Sequence, residues 1–130
     1  MIYLDSSALV TLVLGRTHAA PLRELFLRHP AETTATSTVG LVETVRTCDS
    51  HGNFPNLLAR LARVHVEIPL TDRVRDAATA VPGRLRSLDA IHVASAELLG
   101  SELTALVTYD KRIADAARAA GLPVAMPGVE

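Results

Sequence analysis

Apolar residues in this chain fall in short blocks whose period switches between two and about 3.6, and that switching is the first signal of fold class. Residues 1–4 are a brief apolar run read as a strand, which runs straight into Asp5; 8–14 read as a helix. In 18–29, HAAPLRELFLRH, the residues Leu22, Leu25, Phe26 and His29 stand at helical spacing. The stretch 33–36, TTAT, is β-prone, and in 37–48 Val39, Val42, Val45 and Cys48 recur every three residues, which predicts a helix with that apolar arc. HGNFP is a loop, 56–62 a short helix, and 64–70, VHVEIPL, alternates Val64, Val66 and Ile68 as a strand does.

The second half repeats the alternation. Residues 71–81 read as helix, VPGR breaks it, and 87–99 form a helix capped by Ser87, with Leu88, Ile91, Ser95 and Leu98 on one stripe and Gly100 as a stop. ALVTY is a strand, 111–120 a helix ended by Gly121, and PVAMP a last strand. Strands alternating with helices predict an α/β chain whose parallel sheet is covered on both faces. No repeat, linker or low-complexity tract interrupts it, so residues 1–130 are expected to form a single domain.

Composition sharpens this picture in a few places. The hydrophobic fraction is 48% but aromatics are only 3%, so Leu, Val, Ile and Ala must build the core. The run 8–14 is far shorter than the roughly 20 residues of a membrane span and no basic segment precedes it, so no membrane association and a cytoplasmic location are expected. A lone cysteine, Cys48, forms no internal disulfide and suits a reducing compartment; with no base implied beside it, it reads as a small core residue. Thirteen basic residues balance fourteen acidic ones, which argues against a generic polyanion binder and confines any nucleic-acid surface to a local patch.

The chemistry lies in the acids. Sites in open parallel sheets form beyond the carboxyl ends of the strands. Asp5 closes the first strand and Asp110 closes ALVTY, which places both at one edge; Asp89 lies in the first turn of its helix, and Glu43 sits mid-helix at the rim of an apolar arc. Each has a plainer role open to it: Asp5 and Asp110 as N-caps, Asp89 as complement to a helix dipole, Glu43 as partner of Arg46. Capping, however, does not require carboxylates to converge. If they do, repulsion raises their pKa values unless a cation binds, and an oxygen-only set selects Mg²⁺ or Mn²⁺.

DSSALV at the start, Glu43 in an early helix, LDAIHVASA carrying Asp89 and VTYDKRIADAARAAGL carrying Asp110 together resemble the PIN-domain ribonucleases, and within them the VapC toxins of VapBC toxin-antitoxin systems. The resemblance spans the chain to about residue 124. It implies a three-layer α/β/α fold with a central parallel sheet, and a metal-dependent endoribonuclease toxin that hydrolyses RNA phosphodiesters, with Asp5, Glu43, Asp89 and Asp110 as the acidic quartet on Mg²⁺ or Mn²⁺. Ser6, Ser7 and Thr108 match supporting hydroxyl positions. Asp115 is a fifth acid for the metal layer or a solvated residue; His92, one turn after Asp89, orients that acid, meets RNA or packs structurally.

By the same resemblance the partners are an RNA of the translation machinery, transfer or ribosomal, a VapB-type antitoxin, and a second copy of the chain. The leucines of 22–26 and 57–61 supply a physical motive for such partners, as apolar faces in need of cover. Arg46, Arg84, Arg86, Lys111 and Arg112 lie near the acids in sequence and suit phosphates. Rival chemistries lack their marks. There is no GxxxxGK[ST] loop, no second Asp two residues after Asp5 where Ser7 stands, and no acidic pair at the first strand. The reading from another class is a non-catalytic interaction protein on the same fold.

Overall fold

The computed structural model describes residues 1–129. Its elements run β1 (Ile2–Leu4), α1 (Ser6–Leu14), α2 (Ala19–Arg28), β2 (Thr34–Ser37), α3 (Thr38–Asp49), α4 (Leu57–Val64), β3 (Val66–Ile68), α5 (Asp72–Thr79), α6 (Ser87–Glu97), a 3-10 turn (Gly100–Glu102), β4 (Ala105–Val107), α7 (Lys111–Ala119) and β5 (Val124–Ala125). The strands form one sheet in the order β3-β2-β1-β4-β5, every pairing parallel. This is the predicted α/β architecture, a central parallel sheet flanked by helices.

Side chains of a strand alternate between faces, and the central strand β1 shows it. Ile2 and Leu4 enter a core with Leu9 of α1, Leu22 and Leu25 of α2, Leu41 and Cys48 of α3 and Leu57 and Leu61 of α4. Tyr3 enters the opposite core with Val93 and Ala96 of α6, Leu106 of β4 and Ile113 and Ala117 of α7. Each fully buried Leu contributes roughly 1.5–3 kcal/mol from area removed from water, so a core poor in aromatics suffices.

Several local expectations are corrected. Val64 ends α4 and is 68% exposed, and only Val66–Ile68 extends, because β3 is an edge strand paired to β2 alone. In α3 the buried face is Gly40, Leu41, Thr44 and Cys48, while Val42 is 51% exposed; a helix buries positions one and four apart, and every third residue drifts off that face. Leu88 is likewise exposed on α6, which buries Ala90, His92, Val93, Ala94, Ser95 and Ala96 instead. Arg86, not Ser87, holds the N-cap position there and makes no side-chain cap bond. Gly100 takes a positive φ of 55° inside the 3-10 turn that follows the helix.

The leucine faces invoked for partners are also corrected. Leu22, Leu25, Leu57 and Leu61 are all buried in the chain's own core. What α2 and α4 leave outside is Leu27, Leu58 and Val64.

Candidate active site

The sheet order places β2 and β3 on one side of β1 and β4 and β5 on the other, so the chain reverses direction across the sheet between β1 and β4. The carboxyl ends of those two strands form the crevice where sites arise in open α/β sheets. Asp5 follows β1 directly, and Thr108, Tyr109 and Asp110 follow β4.

Asp5 has no exposed surface and serves as the N-cap of α1. Its Oδ1 accepts from the Ser7 hydroxyl at 2.6 Å and the Ala8 amide at 2.9 Å, and its Oδ2 accepts from the Thr108 hydroxyl. Thr108 Oγ1 in turn accepts from the Asp110 amide at 3.0 Å, and Ser7 Oγ from the Tyr109 amide at 2.8 Å. These bonds stitch the ends of β1 and β4 together. Burial pushes the Asp5 carboxyl above its ordinary range; the charge of His92 and these hydrogen bonds pull against it.

Asp110 caps α7 through Oδ1, which accepts from the Arg112 amide at 2.8 Å and the Ile113 amide at 3.3 Å. Capping and a place at the site are therefore not alternatives: the same carboxylate does the first with one oxygen and keeps the other. Asp89 is half-buried in the first turn of α6, and its pKa is raised by burial first, then by the negative charges of Asp110 and Glu43, against the charges of His92 and Arg86. Asp89 thus feels two of the other predicted acids, with His92 and then Arg86 as the counter-charges it senses.

Glu43 does not pair with Arg46. Its Oε1 lies 2.7 Å from Nε2 of His92, which is wholly buried and whose Nδ1 lies 2.8 Å from the Tyr3 hydroxyl. Burial pushes the Glu43 carboxyl up, but the His92 bond, the charge of His92 and a bond from Ser6 push it down and prevail. His92 is thus buried, and the acid it bonds is Glu43 rather than Asp89. Tyr3 gave no signal in the sequence, because an aromatic inside a β1 strand reads only as core. Asp115 does not join the acids: it pairs with Lys111 at 3.2 Å on the exposed side of α7, beside a surface groove that Arg84 and Arg112 also line.

The donor chemistry fits a hard divalent cation, since all four groups are carboxylates and the repulsion on Asp89 is what such an ion relieves. The carboxylates are not drawn into one tight cage: among the described residues, no three Asp, Glu, His or Cys side chains stand close enough together to hold a metal ion.

Comparison with known proteins gives a consistent result. Residues 2–119 match the model of the PIN domain. The chain is 40% identical over 135 residues to ribonuclease VapC47 of Mycobacterium tuberculosis (strain CDC 1551 / Oshkosh), covering 98% of each chain. It is 40% identical over 129 residues to ribonuclease VapC46 of M. tuberculosis (strain ATCC 25618 / H37Rv), covering 97% of each. Its fold matches the crystal structure of M. tuberculosis VapC20, a sarcin-ricin loop cleaving toxin, with a TM-score of 0.74 at 20% identity, over 98% of this chain and 100% of that one.

Proposed function

Because the chain belongs to the PIN-domain family and is homologous to the VapC-type toxins of VapBC systems, we propose that it is an Mg²⁺- or Mn²⁺-dependent endoribonuclease toxin with Asp5, Glu43, Asp89 and Asp110 as its acidic site. The observation that carries the reading is that Asp89 at the switch-point crevice, already raised by burial, also feels the charges of Asp110 and Glu43, which a divalent cation would relieve. Structural capping alone gives no reason for a half-buried acid to sit against two others.

Asp89, Asp110 and Glu43 would hold the cation. When bound, such an ion supplies water activation and neutralises charge that builds on a phosphoryl group. Asp5 is tied up by three internal donors and acts chiefly as the rigid base of the site, fixing Thr108 and through it the backbone at Asp110. Arg86, just before α6, lies within charge range of Asp89, and with Arg84 of the same loop and Lys111 and Arg112 at the start of α7 it would take the phosphates of the substrate. That substrate is an RNA of the translation machinery, a transfer RNA first and a ribosomal RNA second; the chain also takes an antitoxin that silences it.

Incubating the purified protein with cellular RNA and Mn²⁺ tests this. Cleavage is expected, lost on chelation and lost in Asp89→Asn, and weakened by added salt as phosphate contacts are screened. RNA that stays intact at every salt concentration, in a protein that still takes up Mn²⁺, would favour the non-catalytic reading.

A further inference from the structure

His92 of α6 joins three elements. Its Nδ1 meets the Tyr3 hydroxyl of β1 at 2.8 Å and its Nε2 meets Glu43 of α3 at 2.7 Å, all around a ring with no exposed surface. Proton bookkeeping gives the Glu43 bond a direction. An ionised Glu43 can only accept, so Nε2 must carry a hydrogen. That holds whether the ring is neutral or charged, and the Tyr3 hydroxyl, which can donate or accept, meets Nδ1 in either case.

The packing around the ring is arranged to match. Gly40 lies one turn before Glu43 on α3, and a Cβ there would stand 3.3 Å from His92 Cε1 while running into Thr36 Oγ1. Any side chain at position 40 would press on the ring and on β2 together. Its absence lets α3 come close enough to α6 for the Glu43 bond to form.

We propose that His92 is a positioning residue for Glu43: backed by Tyr3, it fixes the carboxylate through Oε1, so that Glu43 is held ready for a divalent cation or the cation's water. The cation half of this rests on the nuclease reading; the hydrogen-bonded chain does not. A glutamate held in advance does not lose its rotamer freedom when the ion arrives, and partners of this kind typically account for about 10–100-fold in metal affinity or activity.

The test uses the full chain, metal-free, with Mn²⁺ as the probe. Glutamine at position 92 can carry an amide N–H to where Nε2 lies, whereas asparagine is one methylene shorter and stops near Nδ1. His92→Asn is expected to bind Mn²⁺ about 10–100-fold more weakly, and His92→Gln to recover most of that loss. Both variants lose the same ring, so a purely structural role would lower their melting temperatures and leave their Mn²⁺ affinities alike. Equal Mn²⁺ binding in the two therefore overturns the proposal, as does a wild type that takes up no Mn²⁺.

Long-range ¹H–¹⁵N correlations on the wild type should show a hydrogen on Nε2 of His92; an Nε2 without one overturns the proposal, and this measurement decides alone if His92→Asn does not fold. A wild type with the expected Nε2 hydrogen and variant pattern that cuts no RNA overturns the nuclease reading while the positioning role stands.

Discussion

Asp5 and Asp89 are both acids at the carboxyl edge of the sheet that burial raises, yet they differ in hydrogen bonding. Asp5 receives three hydrogen bonds, so converting it to asparagine puts an amide N–H₂ against the Thr108 hydroxyl, which then lacks its acceptor; an unmet bond of this kind costs about 1–3 kcal/mol. The Asp89 side chain accepts no hydrogen bond among the described residues and is held above its ordinary pKa by burial and by the charges of Asp110 and Glu43. Asp89→Asn therefore removes a repulsion and breaks nothing. Its melting temperature should equal or exceed that of the metal-free wild type, and should exceed that of Asp5→Asn.

The sign of the pH effect follows from the same shift. An acid whose folded pKa is raised binds its proton more tightly folded than unfolded, so the wild type recovers stability from Asp89 as pH falls through the raised folded value toward the unfolded value of 3.8. Asp89→Asn should lack that recovery. Denaturant melts of both proteins across this acidic window check it, and an Asp89→Asn protein less stable than Asp5→Asn would contradict the assignment.

At the scale of elements, α4 hands over to β3 at one edge of the sheet. His65 caps α4, and its Nδ1 lies 2.7 Å from the Thr34 hydroxyl of β2, so one imidazole ties the incoming edge strand to its neighbour. Burial pushes the His65 pKa below 6.5, because the half-covered ring resists charge. With the folded pKa depressed, the neutral ring's contribution is fully present above 6.5 and is lost as pH falls through the folded value. Unfolding midpoints measured at about pH 7.5 and about pH 5.5 should fall further in the wild type than in His65→Gln. An identical fall in the two would show that the edge does not depend on this ring. The exposure of Val64 and Val66 belongs to the same element: a three-residue edge strand buries little, so a single polar tie carries weight there.

Over the whole molecule, the two cores on either face of the sheet consume the leucines that sequence reading set aside for partners. Leu27, Leu58, Val64, Leu70 and Leu88 still stand outside, each with about half or more of its surface in water. With the named leucines spent inside, the proposal of a homodimer and of an antitoxin rests on family membership. Light scattering on the free protein should give twice the chain mass of 13.8 kDa, and co-expression with the product of the adjacent upstream reading frame should relieve growth arrest. A monomer whose toxicity no neighbouring product relieves would overturn both. No helix among the described residues is long and apolar enough to cross a membrane.

The sequence by itself determined the alternation of strands and helices, because period two and period 3.6 are local properties of backbone geometry, and with it the parallel sheet and the carboxyl edge where Asp5 and Asp110 fall. It determined their capping roles too, since a cap needs only the residues two and three positions on. Which face of α3 and α6 is buried was beyond it: Val42 and Leu88 are as apolar as Leu41 and Val93, and only the neighbours that fold against each helix distinguish them. Glu43 illustrates the limit most clearly. From sequence its partner is Arg46, three residues away; in the fold it is His92, 49 residues away, on another helix that Gly40 allows to come near and that Tyr3 steadies from a strand. A hydrogen bond acts over about 3 Å in space, and tertiary packing alone sets which distant residues come within that distance.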